Sequence, residues 1–275
     1  MQTTRIIKNK KGVTLIELLI ALIISALLIA GIYKTFIGQQ KTYIVQEQVV
    51  DMQQNLRAGI NKMIREIRMA GFGGLDYVLS LSGGVNGYSN IITPSGDNEI
   101  TIVGGFKQIR RDNGEPIVVD SAIGKTLTLN YATDEFDGEK HKYISIGGLE
   151  SNKVLSRSEN VITLEKDLNL NFPSGTPIFK IQAITYNKTN DNVLRRDENT
   201  GGGAQPLAEN IEDLRFEYFD ANGNATTNPG NIRMVRVTIT ARTERSDPDY
   251  KSEEGIRRRT ISSNIQIRNM ASLLY

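Results

Sequence analysis

The chain has no cysteine among its 275 residues. No disulfide can staple it, so packing must hold any domain it sends into an oxidising compartment. It has no tryptophan and a single histidine, His141, within the charged turn Glu139-Lys140-His141-Lys142. With no thiol and one imidazole, a zinc centre lacks its usual donors. There is no G-x-S-x-G and no glycine-rich loop leading to a Lys-Ser or Lys-Thr pair, so hydrolase and P-loop chemistry lose their signatures. The net charge is only +2, from 33 basic and 31 acidic residues. That balance makes no bulk electrostatic demand for nucleic acid. The expectation is a protein that is not an enzyme, holds no cofactor and has no DNA partner. Proline is absent before Pro94, and no acidic residue precedes Glu17. The first absence leaves a long N-terminal helix unobstructed.

What is present begins at Val13. Residues 13–32 are almost all apolar, with Thr14, Ser25 and Glu17 as exceptions. About 20 residues at 1.5 Å each make a helix of roughly 30 Å, the thickness of a bilayer core. Four basic residues, Arg5, Lys8, Lys10 and Lys11, precede it. The positive-inside rule then keeps the N-terminus cytoplasmic and exports the rest. A secretory signal is cut beyond its apolar region, whereas the small residue here, Gly12, lies before it. Glu17 is the second departure. A carboxylate at that depth costs about 2.5–3.5 kcal/mol on insertion scales and calls for a partner. Cleavage between Gly12 and Val13 would create one, the α-amine of Val13, on the same helix or on a neighbour. Pairing offsets the desolvation of both charges.

Residues 11–21, Lys-Gly-Val-Thr-Leu-Ile-Glu-Leu-Leu-Ile-Ala, resemble the class III signal of type IV prepilins and type II secretion pseudopilins. Val13 stands where that signal usually has Phe. The resemblance implies cleavage after Gly12 by a prepilin peptidase and N-methylation of Val13. It implies that Glu17 pairs with a neighbour's N-terminus during filament assembly. The plainer alternative is a signal anchor with a stray Glu17.

Beyond the apolar run, Val49, Met52, Leu56, Ile60, Met63 and Ile67 are spaced by three and four, one face of a helix. Asp51, Gln53, Gln54, Arg57, Asn61, Lys62, Arg65, Glu66 and Arg68 are assigned to the other face. Gly71, Gly73 and Gly74 end the helix. Gly31, Gly38 and Gly59 are its candidate soft points. The amphipathic half is expected to lie under a sheet; a short coiled-coil stalk is the alternative. The predicted organisation is a cytoplasmic leader (1–12), a transmembrane half-helix (13–34), an amphipathic exported half (35–70) and a β-rich domain (71–275). The fold class is α+β, pilin-like. The β-rich domain, about 200 residues, suffices for a sizeable core. It is larger than a typical major pilin and favours a minor subunit.

Strands are expected at 99–104, 116–120, 126–131, 142–146, 160–165, 177–186, 214–219, 233–242 and 260–268. Val235, Val237, Ile239 and Ala241 alternate with polar residues, a strand with one wet face. Asp220-Ala-Asn-Gly-Asn should join 214–219 to 233–242 as an antiparallel pair. Residues 83–98 and 197–205 read as mobile loops. Leu194-Arg195-Arg196, then residues 206–218, Met234-Val235-Arg236-Val237 and Ile267-Arg268-Asn269 are similar in order to PilW-type minor pilins and J-type pseudopilins. That likeness implies a place in a tip complex of minor pilins that primes a pilus. The partners implied are other major and minor pilins, the prepilin peptidase and the inner membrane.

Two further groups stand out. Asp220, Asn222 and Asn224 carry oxygens at positions 1, 3 and 5 of a calcium loop, but Ala225 and Asn231 stand where an EF-hand needs Gly and Glu. A plain turn explains them better. Arg257, Arg258 and Arg259, with Arg242, Arg245 and Lys251, are the densest basic group. Asp247, Asp249, Glu253 and Glu254 lie among them, so local ion pairs are expected.

Overall fold

The structure, a computed structural model, describes residues 12–136, 142–247, 249–252 and 254–269. The chain divides into two compact units, one reaching Val50 and one starting at Asp51. The leader bases Arg5, Lys8, Lys10 and Lys11, together with His141 and Glu253, lie outside the described residues.

The first unit contains the start of helix α1 (Leu15–Met69). Its apolar side chains are exposed around the whole circumference, with Leu15, Leu22 and Ile32 among them. An 18-residue window has mean hydropathy 2.8 with nothing buried, so the helix is long and apolar enough to cross a membrane. Gly31 and Gly38 have a local role here. Thr35 Oγ1 donates to the Gly31 carbonyl and Thr42 Oγ1 to the Gly38 carbonyl, both at 3.0 Å. Each hydroxyl thereby finds a partner within its own helix, a back-bond that tends to bend helices slightly.

In the second unit the last turns of α1 bury Met52, Leu56, Ile60, Met63 and Ile67. Gly59 and Glu66 are buried on the same side. Two expectations change here. Gly59 is no soft point: a Cβ at that position would stand 2.9 Å from Leu194 Cδ2 and 3.4 Å from Ala208 Cβ. Glu66 is no wet-face residue, because the sheet brings Tyr186 and Arg196 to meet it. These contacts are with strands, so α1 from Met52 to Ile67 is a sheet-packed helix and not a stalk. α1 gives way to a glycine turn at Gly71 (φ 81°), whose N–H bonds the Val103 carbonyl at 2.9 Å. At Gly74 (φ 62°) a Cβ would fall 2.0 Å from the Leu149 carbonyl oxygen, which no side chain tolerates.

After the short helix α2 (Asp76–Ser80) come β1 (Ile92–Pro94), β2 (Glu99–Gln108), β3 (Val119–Ile123), β4 (Thr126–Leu129) and β5 (Tyr143–Ile146). They are followed by β6 (Glu150–Ser158), β7 (Val161–Leu164), β8 (Ile178–Lys188), β9 (Leu194–Asp197) and β10 (Gln205–Ala208). The last three are β11 (Ile211–Phe219), β12 (Met234–Arg242) and β13 (Arg258–Gln266). The first ten make one sheet, ordered β1-β2-β8-β5-β6-β7-β4-β3, with β9 on β8 and β10 on β9. β11-β12-β13 make a second. The paired strands are antiparallel. This is the α+β arrangement expected, a long N-terminal helix followed by antiparallel sheets, consistent with a pilin-like fold.

β8 is the axis of the larger sheet. One edge pairs with β2; the other pairs with β5 near its start and β9 near its end. With neighbours on both edges and packing on both faces, it is buried almost throughout. β6 changes partner along its length, from β5 to β7, across a bulge between Val154 and Ser156. Beyond the bulge β3, β4 and β7 share a core with β5 and the start of β8, centred on Leu127, Leu129, Ile144, Ile162, Leu164 and Ile178.

Four strands escape sequence reading, each for a local reason. β1 is three residues long. β6 buries Glu150, Ser151 and Asn152, so no apolar alternation marks its start. Two of the three are satisfied inside: both Glu150 oxygens accept N–H groups of Asn169 and Leu170, and Asn152 exchanges bonds with the Lys166 backbone, while Ser151 Oγ has no hydrogen-bond partner among the described residues. β9 is three-quarters charged, and β10 contains Pro206. The strand expected at 116–120 begins later, at Val119; Pro116 and Val118 make only isolated bridges. The segment 197–205 is not free either: the Asn199 amide holds the Ala183 carbonyl at 3.0 Å and Thr185 Oγ1 at 2.9 Å. The hairpin at Asp220 is found, with Leu214, Phe216 and Tyr218 opposite Ile239, Val237 and Val235.

Candidate functional site

The N-terminal segment is built from Thr14 outward. Thr14 Oγ1 accepts the Glu17 N–H at 3.3 Å, and Glu17 Oε2 accepts the Thr14 N–H at 2.9 Å and its hydroxyl at 3.0 Å. This reciprocal exchange is a capping box, which satisfies N–H groups that a helix start leaves open. α1 accordingly begins at Leu15. The box folds the Glu17 carboxylate back toward Val13 and the Gly12–Val13 bond. Oε1 of Glu17 has no partner among the described residues. Gly12, Val13 and Thr14 are exposed, and a Cβ at Gly12 would meet nothing within 4 Å. Sequence reasoning singled out Glu17 and Val13 but passed over Thr14. The signal was legible, since Thr-x-x-Glu at the head of an apolar run is the capping signature.

The other candidates resolve into local structure. Asp220 Oδ1 accepts the N–H groups of Asn222 and Asn224 at 2.8 and 2.9 Å, and Oδ2 accepts the Asn224 amide at 3.2 Å. The Asn224 N–H is the first cause holding the Asp220 carboxyl below its ordinary range. The carboxylate closes the β11–β12 turn, and among the described residues no three His, Asp or Glu side chains converge as a metal cage. In the basic group, Arg257 pairs with Asp247 at 2.7 Å and lies over the Tyr250 ring. Arg258 pairs with Glu212 at 2.7 Å and with Glu254. The expected local ion pairs are present for both. In a cleft lined by Arg110, Arg111, Tyr131, Glu135 and Lys180, Glu135 pairs with Lys180 at 3.1 Å and with Lys107. Burial pushes the Glu135 carboxyl up, but bonds from Lys107 and Lys180 outweigh it and hold the group low.

Residues 7–33 match the family described as the prokaryotic N-terminal methylation motif. The match spans the end of the leader, Gly12, Val13, Glu17 and most of the apolar run. No curated protein matches the chain. The motif and the apolar helix that carries it support a type IV pilin-like or pseudopilin protein, a class that is membrane-anchored and processed by a prepilin peptidase.

Proposed function

We propose that this chain is a minor pilin, which enters a type IV pilus through its N-terminal helix and serves in the complex that primes or caps the filament. Prepilin peptidase cuts between Gly12 and Val13 and the new Val13 amine is methylated. The helix stays in the inner membrane, N-terminus cytoplasmic, until assembly carries the subunit to the cell surface. The protein is not an enzyme; its work is to pack among other pilins. The observation that carries this reading is the Thr14–Glu17 capping box within a matched methylation motif. Oε2 of Glu17 secures the helix start, and Oε1 is left to receive a cationic amine from a neighbouring subunit. A minor pseudopilin of type II secretion is the second reading, supported by the likeness of residues 194–196 and 206–218 to J-type subunits.

Mass spectrometry of the N-terminus from native membranes, with and without the peptidase, tests the reading. A peptide starting at methylated Val13, lost without the peptidase, is the expected result. An intact leader in both strains would leave a static membrane-anchored binding domain instead. Glu17→Leu is expected to leave the protein stable in the membrane while incorporation into filaments falls below detection. Normal incorporation of that variant would remove the assembly role of Glu17.

A further inference from the structure

β13 is the outer strand of the β11-β12-β13 sheet. It pairs with β12 from Met234↔Gln266 to Arg242↔Arg258 with no break in register. Two bonds fix the phase of this ladder. The Ile267 N–H reaches the Arg233 carbonyl at 3.1 Å, and the Arg257 carbonyl accepts the Thr243 N–H at 2.9 Å. Residues 257 and 267 thus turn their backbone groups toward β12, and by antiparallel alternation so do 259, 261, 263 and 265. The N–H and C=O groups of Arg258, Thr260, Ser262, Asn264 and Gln266 face the other way. All five residues are exposed, and among the described residues no strand lies along that side. Their side chains are held on the outer face of the sheet: Thr260 bonds Thr240 at 2.8 Å, Ser262 bonds Thr238 at 3.0 Å, and Asn264 accepts from Arg236 at 2.9 Å. The edge is straight, open and pre-ordered.

Proteins guard open edges with short strands, proline, bulges or charge. The other outer strands here are guarded. β1 is three residues long and ends on Pro94. β10 has Pro206 and a bulge, and β3 has a bulge beside Asp120. β11 carries Glu212, Asp213, Arg215 and Glu217 and a bulge, and its Phe216 N–H is taken by the Asp97 carbonyl at 2.7 Å. From Thr260 to Gln266, β13 has no charge, no proline, no glycine and no bulge. Arginines stand only at its ends. Arg258 is neutralised by Glu212 and Glu254. Arg259 and Arg268 are exposed and form no ion pair among the described residues.

From an unguarded edge between two exposed cations that form no ion pair among the described residues, we infer that β13 is a docking site for an extended segment of a partner protein. The segment adds an uncharged β-forming strand along β13, with carboxylates at its two ends to meet Arg259 and Arg268. Main-chain bonds supply the affinity, and the end charges set the choice of partner. The span between those arginines is roughly 30 Å, about nine extended residues. A second copy of β13 is the wrong occupant. It has no acidic residue, so it offers nothing to meet Arg259 and Arg268. The inference does not depend on the pilin reading.

The test uses the full chain in detergent micelles and labelled peptides of about eleven residues, alternating Thr and Val between two Glu or two Lys. Fluorescence anisotropy is expected to show binding of the Glu-ended peptide, about tenfold tighter than the Lys-ended one. Ser262→Pro should weaken it at least about tenfold; the Ser262 N–H is outside the β12 ladder, so the sheet can accept proline there. A Glu-ended peptide N-methylated along both edges leaves the protein untouched and is expected not to bind. Arg259→Glu with Arg268→Glu should reverse the preference between the two peptides. Binding of neither peptide, equal binding of both, or undiminished binding of the N-methylated peptide would overturn the proposal. So would a chain dimer in sedimentation that Ser262→Pro dissolves, which would assign the edge to a second copy.

Discussion

Glu66 is an anionic side chain on a buried helix face, and its surroundings explain why it is tolerated there. Its carboxylate accepts the Tyr186 hydroxyl, the Arg196 guanidinium at 3.1 and 3.3 Å, and Lys62 at 2.8 Å. Arg196 also reaches Glu198 at 2.8 Å, whose other oxygen takes the Gln182 amide at 2.8 Å. Burial and the Glu66 charge push the Tyr186 hydroxyl above its ordinary range. Burial works against the Arg196 charge, yet Glu66 and Glu198 outweigh it and raise the group. Removing one partner leaves a buried carboxylate undercompensated. Arg196→Met is therefore expected to cost about 3–5 kcal/mol, and Tyr186→Phe about 1.5–3 kcal/mol, in denaturant unfolding of the chain. If Arg196→Met costs less than Tyr186→Phe, the ion pair is not what secures this helix face.

Within α1 the glycines differ by what surrounds them. Gly31 meets nothing within 4 Å of an added Cβ, while Gly59 faces Leu194, Ala208 and Ile239. The first lies on a stretch of helix with no neighbour packed against it among the described residues, the second at a close approach between helix and strands. Gly59→Val should overpack that contact and destabilise the sheet unit by about 1–3 kcal/mol. Gly31→Val should leave the melting temperature of that unit unchanged. Equal shifts in differential scanning calorimetry would mean that Gly59 is no closer to its neighbours than Gly31.

Across the whole molecule the titrating groups point one way in acid. Asp247 is held low first by its bond from Arg257, and Glu212 first by Arg258. Bonds from Thr189 and then Arg195 bring Asp191 to about 2. A carboxylate depressed in the folded state adds stability above its unfolded pKa and loses it as pH falls through the folded one. Stability should thus decline from about pH 4.5 downward and keep falling to about pH 2. At the alkaline end burial, then Glu165, pushes the Tyr77 hydroxyl up to about 12. Tyr77 stays neutral in the folded chain, so its contribution is complete below about pH 10 and is lost as pH rises toward 12. Melting temperature against pH should show a plateau between these limbs. A flat curve from pH 5 to pH 3 would contradict the pairing of these carboxylates in solution.

Much of this protein was determined by local pattern. The apolar run after Gly12, the lone Glu17 and the four basic leader residues mark the N-terminal motif without reference to the rest of the chain. The three-and-four spacing of Met52 to Ile67 and the alternation of Val235 to Ala241 place a helix and a strand, because period alone decides which face is apolar. The Thr14–Glu17 box was equally local. What only tertiary structure decided involves partners distant in sequence. Glu66 is buried because Tyr186 and Arg196 arrive from strands far along the chain. The polar start of β6 becomes a strand because Asn169, Leu170 and Lys166 satisfy Glu150 and Asn152. Gly59 is a contact and not a hinge because Leu194 lies against it. The open edge of β13 depends on which strands pair, and strand order follows from long-range hydrogen bonding that no window of sequence contains.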